Sequence, residues 1–472
     1  MTPRTATDDQ GTTARRGSRR PPSRPDHPGP LRAAVTAAAL AAALALGTAA
    51  TALGDPAGGS GSARSTTGHP ASATGHSGGP ATRAWAPALP APGGQHPVGS
   101  TSLHLVDRSR HDPWVSTQPY RELMVSIRYP ARDIGGHPAA PLLLPGEAAA
   151  YDEQNNLADV PKGKVDWAAI RTHAHQGAPV DRRGGRLPVV LYSPGAGDPR
   201  ALGSSLVDDL ASRGYAVVTI DHTYEAPGVE FPGGRVARSR MLEEFTRAER
   251  EHRVPELLRK VTAVRVADTR FVLDELGRLA AGRNPDAGHR RLPQGLRAAL
   301  DTSRTAMFGH SAGGFTAAHT LHDDPRIKAA ANMDGVMGYA QRGDDPANPS
   351  AVGIDGLDRP LLLMGKEGDD HHTVASWDAT WRHSSGWHRD LTFTGAEHAS
   401  FTDTEALLPQ LAERLDLPAK TVTENIGTIA PDRAIAAERV YLAAFLDRWL
   451  LGRDTPLLDR PAPRWPEVRL IP

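Results

Sequence analysis

Thr305-Ala306-Met307-Phe308-Gly309-His310-Ser311-Ala312-Gly313-Gly314-Phe315-Thr316-Ala317-Ala318 is the stretch on which the reading of this chain turns. Residues 305–308 are a short apolar run, the pattern of a buried strand. Ser311 follows at a tight turn, and Gly313 to Ala318 open a helix. A serine hydroxyl becomes a nucleophile only when a base takes its proton, and it must stand exposed at the carboxyl edge of a sheet. The turn that exposes it is strained, so the residues two positions away on each side must lack bulk. Gly309 and Gly313 meet that need. The helix N-terminus adds free amides and the positive end of a dipole near a developing oxyanion. The five-residue string alone means little. Gly75-His76-Ser77-Gly78-Gly79 repeats it with no strand before and no helix after, and with 47 glycines in the chain one chance match is unsurprising.

Working outward, short apolar runs at 123–129, 187–193, 215–220, 305–309, 329–333, 360–365 and 390–394 alternate with helical patterns at 199–213, 261–279, 312–322, 405–414 and 431–450. Uninterrupted apolar strands separated by helices predict a mostly parallel sheet covered on both faces. The helix at 261–279 carries Val264, Val266, Phe271, Val272 and Leu276 as a buried stripe. The expected fold class is α/β, with one catalytic domain over 101–472. An insertion at 225–255, with Phe231-Pro232-Gly233-Gly234 and a charged helical run at 238–253, is a candidate lid, or else a solvated surface helix.

The N-terminal hundred residues read differently. Arg4, Arg15, Arg16, Arg19, Arg20, Arg24 and Arg32 crowd the start, and an uncharged Ala/Leu stretch covers 33–54. This is a targeting pattern. Ala50-Thr51-Ala52 fits a signal-peptidase site, so residues 1–54 are expected to be a signal peptide and the protein secreted. The rival is an uncleaved membrane anchor through 33–54, since a span needs about 20 residues. Residues 55–100 are rich in Gly, Ser, Ala, Pro and Thr and read as a disordered linker. Lys plus Arg balances Asp plus Glu at 54 each, so no charge excess points to nucleic acid. The chain has no cysteine, which excludes disulfides, a Cys nucleophile, a thiolate-zinc site and a lipid anchor on Cys.

The order Ser, acid, His is the one expected when a nucleophile sits on such a turn. Of the histidines after Ser311, His319 and His322 lie on the nucleophile's own helix and should point away. His398, in Thr394-Gly395-Ala396-Glu397-His398-Ala399-Ser400-Phe401, follows the last apolar strand, where a loop can carry an imidazole over the serine. Two positions compete for the acid that holds the imidazole: Asp334, after the strand at 329–333, and Asp369 or Asp370, after the strand at 360–365. Strand order alone leaves both open. The oxyanion hole needs two amides. Ala312 supplies one, and Ala196, in the loop Ser193-Pro194-Gly195-Ala196-Gly197 after the strand at 187–193, is the candidate for the other.

These pieces together resemble the platelet-activating-factor acetylhydrolase family of α/β-hydrolases, over roughly residues 101–453. The resemblance rests on Gly309-His310-Ser311-Ala312-Gly313-Gly314, on Asp334 23 residues after Ser311, on His398 with Phe401, on the loop at 193–197, and on Gly427-Thr428-Ile429-Ala430-Pro431 before the last helix. It implies that the acid is Asp334. The family loop often has His where this chain has Pro194; proline lacks an amide hydrogen, but the expected donor is Ala196. Met337, Trp377, Trp381 and Trp387 are candidates for an acyl pocket. The resemblance implies hydrolysis of short or oxidised acyl esters, phospholipids among them, by a Ser311-His398-Asp334 triad without metal or cofactor, with transient contact to a lipid surface. A polyester hydrolase of cutinase type and a hydrolase-like binding protein without catalysis are the alternatives.

Overall fold

The structure is a computed structural model that describes residues 85–154, 157, 160–339 and 349–472. The targeting segment at 1–54, the first Gly-x-Ser-x-Gly copy around Ser77 and the linker up to residue 84 lie outside the described residues. Among those described, thirteen strands form: β1 (Val98–Asp107), β2 (Arg121–Pro130), β3 (Ala139–Pro141), β4 (Arg171–Gln176), β5 (Leu187–Ser193), β6 (Ala216–Asp221), β7 (Gly228–Glu230), β8 (Val236–Arg238), β9 (Leu300–His310), β10 (Ile327–Met333), β11 (Leu361–Gly365), β12 (His388–Phe393) and β13 (Val468–Ile471). The helices are α1 (Pro145–Gln154), α2 (Ser204–Ser212), α3 (Met241–Arg250), α4 (Val254–Ala280), α5 (Ala312–Asp323), α6 (Ala351–Asp355), α7 (Ala375–His383), α8 (Thr404–Leu415), α9 (Ala419–Ile426) and α10 (Pro431–Leu451).

Eleven strands make one sheet in the order β13-β12-β11-β10-β9-β5-β6-β2-β1-β4-β3. The six central strands, β12 to β6 in that order, are parallel. Their apolar residues split by parity. Val189, Leu191, Val218, Ile220, Met307, Leu361 and Leu363 face α4 and α5, in a cluster with Val272, Leu276, Ala317 and Leu321. Val190, Tyr192, Val217, Phe308, Ala331, Met333, Leu362 and Met364 face α2 and α10, with Leu206, Leu210, Tyr441 and Phe445. Burial on both faces is why these strands read as continuous apolar runs instead of alternating ones.

Three outcomes differ from the sequence expectations. The expected linker at 55–100 is too long at its C-terminal end, because residues 85–97 run over the domain and β1 begins at Val98. Leu89 is buried with Leu408 and Leu411 of α8, the Ala88 backbone exchanges two hydrogen bonds of 2.9 Å with the Gln410 side chain, and Arg439 of α10 donates to the carbonyls of Ala91 at 2.8 Å and Pro90 at 3.1 Å. The helix expected at 199–213 is a 3-10 turn, Arg200–Gly203, before α2. The insertion at 225–255 is a β7–β8 hairpin followed by α3, whose Met241, Phe245 and Ala248 pack on Leu257, Val261 and Val264 of α4 and on Trp114. One face of α3 is thus buried against the domain and the other is exposed, so it is not a wholly solvated helix.

Near the α8–α10 contact, Glu405 and Glu438 are both buried. Burial pushes the Glu405 carboxyl up to about 8, and burial followed by the charges of neighbouring acids pushes Glu438 up as well. A carboxyl that holds its proton more tightly when folded adds stability that is complete below its unfolded value and lost as pH rises through the folded one. For Glu405 that window runs from the ordinary 4.5 to about 8. Glu405→Gln should therefore flatten the loss of melting temperature between about pH 5 and about pH 8. Parallel melting curves for the two proteins across that range would contradict this.

Candidate active site

β9 ends at His310 and α5 begins at Ala312, so Ser311 is the single residue between strand and helix. Its backbone is left-handed, with φ 54° and ψ −122°, a conformation that L side chains rarely adopt. The Ser311 amide donates to the Met333 carbonyl at the end of β10, at 2.8 Å, and its carbonyl accepts from Phe315 in the first helical turn, at 3.1 Å. The glycines are required by contact. A Cβ on Gly313 would collide with the Ser193 carbonyl oxygen, one on Gly314 with the Asn332 side chain, and one on Gly309 with the backbone of Gly313.

Asp334 follows β10, also with positive φ, 55°. Its amide donates to the Met364 carbonyl of β11 at 2.8 Å, which fixes the residue between two parallel strands. One carboxylate oxygen accepts from the Lys366 amide at 3.0 Å, and the other accepts from His398 Nδ1 at 2.5 Å. His398 opens a 3-10 turn, His398–Phe401, beyond β12; Glu397 and Ser400 cap that turn reciprocally. His310, the residue before the serine, donates from Nε2 to the His398 carbonyl at 2.9 Å, and the two rings lie 4.5 Å apart. His310 thus ties the base loop to the nucleophile turn. Sequence reasoning missed this, because the variable position of Gly-x-Ser-x-Gly carries no expectation of its own.

The competing acids are placed elsewhere. Asp370 accepts from the amides of His372 and Thr373 and closes its own turn. Asp369 lies close enough to Asp334 to feel its charge: burial first, then that charge, push the Asp369 carboxyl up to about 6. Asp334 goes the other way. Burial alone would raise it, but the hydrogen bond and charge of His398 and the Lys366 amide hold it below the usual carboxylate range. Burial alone would likewise lower His398, and the bond to Asp334 with its charge outweighs this, so the imidazole sits above an ordinary histidine. Of the other histidines after Ser311, His319 and His322 lie beside Asp323 on α5, His383 and His388 bond backbone carbonyls, and His371 pairs with Asp390 at 2.8 Å under the stacked Trp381 ring.

Ala312 is the first residue of α5, and Ala196 is half-buried in the loop after β5. The pocket candidates divide. Met337 and Trp377 are wholly buried in the core, Trp377 donating from Nε1 to the Gly335 carbonyl at 2.8 Å, so neither lines an open wall. Trp381 is half-buried against the same core, and Trp387 packs with Phe445 and Trp449. Aromatic residues near a site are indistinguishable by sequence from aromatic residues behind it. Val336, two residues past Asp334, is exposed and was not singled out. Among the described residues, no group of three or more His, Asp or Glu side chains is arranged to hold a metal ion, and no helix is long and apolar enough to cross a membrane.

A mostly parallel sheet, helices on both faces, and a serine on a strand-to-helix turn next to an Asp–His pair define an α/β-hydrolase fold. The family profile of platelet-activating factor acetylhydrolase, isoform II, matches residues 87–450, and the chain belongs to that family. It is similar to a probable 1-alkyl-2-acetylglycerophosphocholine esterase of Arthroderma benhamiae, 28% identical over 80% of this chain and 92% of that one. It also resembles the platelet-activating factor acetylhydrolase of Cavia porcellus, 25% identical over 37% of this chain and 40% of that one. Among solved structures, a ferulic acid esterase from Streptomyces cinnamoneus superposes with a TM-score of 0.64 at 34% identity, covering 82% of this chain and 100% of that one. The chain is a carboxylic ester hydrolase.

Proposed function

We propose that the chain is a secreted serine esterase that cleaves short-acyl esters, phospholipids of the platelet-activating-factor type included, through an acyl-enzyme on Ser311. The observation that carries the reading is the 2.5 Å hydrogen bond from His398 Nδ1 to Asp334, tied by His310 to the turn that bears Ser311. With Nδ1 bonded to the carboxylate, Nε2 is left as the acceptor for the serine proton. Ser311 attacks the ester carbonyl while His398 takes its proton, and the amides of Ala312 and Ala196 receive the oxyanion. His398 then protonates the leaving alcohol, and water, deprotonated by the same imidazole, releases the acid. The basic start and apolar stretch before residue 55 support export, and contact with a lipid surface would be transient. A second reading is favoured by the 34% identity to the ferulic acid esterase: an aromatic acyl group in place of acetyl.

One set of measurements tests this. A fluorophosphonate should label the wild type on the peptide holding Ser311. No labelling would favour the non-catalytic binding protein instead. Since only neutral imidazole accepts the proton, kcat/KM should rise with pH through a midpoint above the ordinary histidine value of about 6.5. A midpoint at or below that value would contradict the pairing with Asp334. Nitrophenyl esters of increasing chain length, a short-acyl phosphatidylcholine and methyl ferulate then separate the two substrate readings.

A further inference from the structure

Behind the loop that carries Ala196 lies a buried polar assembly that the reaction as proposed does not use. Arg265, on α4 and almost without exposure, donates from Nη1 to the Pro194 carbonyl at 2.7 Å and from Nη2 to the Gly195 carbonyl at 3.2 Å. Its Nε donates to Glu225 at 2.7 Å, and that carboxylate is equally buried. One residue earlier, the Ser193 hydroxyl and His222 Nε2 are 3.0 Å apart, and His222 Nδ1 lies 3.1 Å from Asp268. The carboxylate must accept, so Nδ1 carries the proton and Ser193 donates to Nε2. Burial keeps His222 below an ordinary histidine and therefore neutral. Asp268 in turn takes two hydrogen bonds from the buried Arg121, at 3.1 and 2.7 Å. The chain Ser193-His222-Asp268 has the composition of a catalytic triad, but its members are buried from solvent and no ester could reach Ser193.

We propose that Arg265, held by Glu225, is a positioning residue that presents the Ala196 amide to the oxyanion. In a trans peptide the carbonyl and the following amide hydrogen point to opposite sides. Fixing the Pro194 and Gly195 carbonyls on the arginine therefore turns the amide hydrogens of Gly195 and Ala196 away from it. The loop lies against the nucleophile turn: a Cβ on Gly195 would meet the ring of His310, the residue before Ser311, and the Ser193 carbonyl oxygen abuts Gly313. The loop's own turn bond, from the Asp198 amide to the Gly195 carbonyl, is long at 3.3 Å and does not by itself fix both peptide planes. The two-pronged guanidinium does so, where a single ammonium cannot match both carbonyls in the same fixed geometry. Preorganised amides stabilise an oxyanion because they need not reorient as charge develops.

This rests on the reading of Ser311 as nucleophile, and the test separates the two. Kinetics on nitrophenyl acetate, inhibition by phenylboronic acid, which forms a tetrahedral adduct, and melting temperature are measured for the wild type, Ser311→Ala, Arg265→Lys and Glu225→Gln. Absence of boronate inhibition in the wild type would overturn the nucleophile reading itself. If that reading stands, Arg265→Lys should lower kcat by about 100-fold with KM within about threefold, and weaken boronate by a similar factor. Glu225→Gln leaves the guanidinium in place with a weaker hold and should shift both in the same direction by about tenfold. Should the lysine variant fail to fold, the glutamine variant decides. Unchanged kcat, or a fall in kcat with boronate affinity unchanged, overturns the role of Arg265.

Discussion

Ser311→Ala is expected to remove about a millionfold of turnover on any ester the protein accepts, the loss seen when the nucleophile of a hydrolase triad is deleted. Little stability should go with it. The residue's backbone bonds to Met333 and Phe315 do not involve the hydroxyl, and alanine tolerates the left-handed turn no worse than serine does. The measurement is kcat with a nitrophenyl ester together with a melting curve. A variant that keeps more than about a hundredth of the wild-type rate would displace Ser311 from the mechanism.

Asp334→Asn is the second large effect, about ten-thousandfold in turnover. The amide can accept at one atom only. With its oxygen kept on the Lys366 amide, its NH2 faces His398 Nδ1 and donates to it, which forces the imidazole proton onto Nε2, so that Nε2 can no longer receive the serine proton. Asp369→Asn should do far less, since Asp369 meets the pair only through its charge. Its removal takes a negative neighbour away from Asp334 and His398, so a modest downward shift of the pH midpoint is expected. A ten-thousandfold loss on Asp369→Asn, with Asp334→Asn near wild type, would reverse the assignment of the acid.

The parallel centre of the sheet was legible in the sequence because each of its strands is apolar on both faces, and the helices between them carry apolar stripes. The edges were not. β1 alternates burial along Val-Gly-Ser-Thr-Ser-Leu-His-Leu-Val-Asp, and β4 is Arg-Thr-His-Ala-His-Gln, a strand held by its neighbours rather than by its composition. β13 pairs at the far edge with only four residues. Ser311 and His398 were readable because their settings, strand–turn–helix and the loop past the last apolar strand, follow from local pattern. Asp334 was one of two equal positions until a family resemblance separated it from Asp369. Nothing in a single sequence tells which carboxylate will reach 64 residues onward to an imidazole. Arg265 lies inside a recognisable buried stripe, between Val264 and Val266, where a charge reads as the exposed face of the helix. Its partners are 40 and about 70 residues away, and only the folded chain brings them together.

The segment at 85–97 has a bearing on how the molecule comes to be folded at all. Its bonds to Gln410 and Arg439 join residues separated by 322 and 348 positions, so the first described part of the chain is fastened to nearly the last. Such contacts close only after the intervening polypeptide has been made, and the entropy of closing so long a loop must be met before they yield any return. During synthesis Gly93 and Gly94 can meet Asp209 and Ser212 early, while Ala88, Pro90 and Ala91 wait for partners that are made late. A nick or truncation in α10 would therefore loosen residues 90 and 91 as surely as the helix itself.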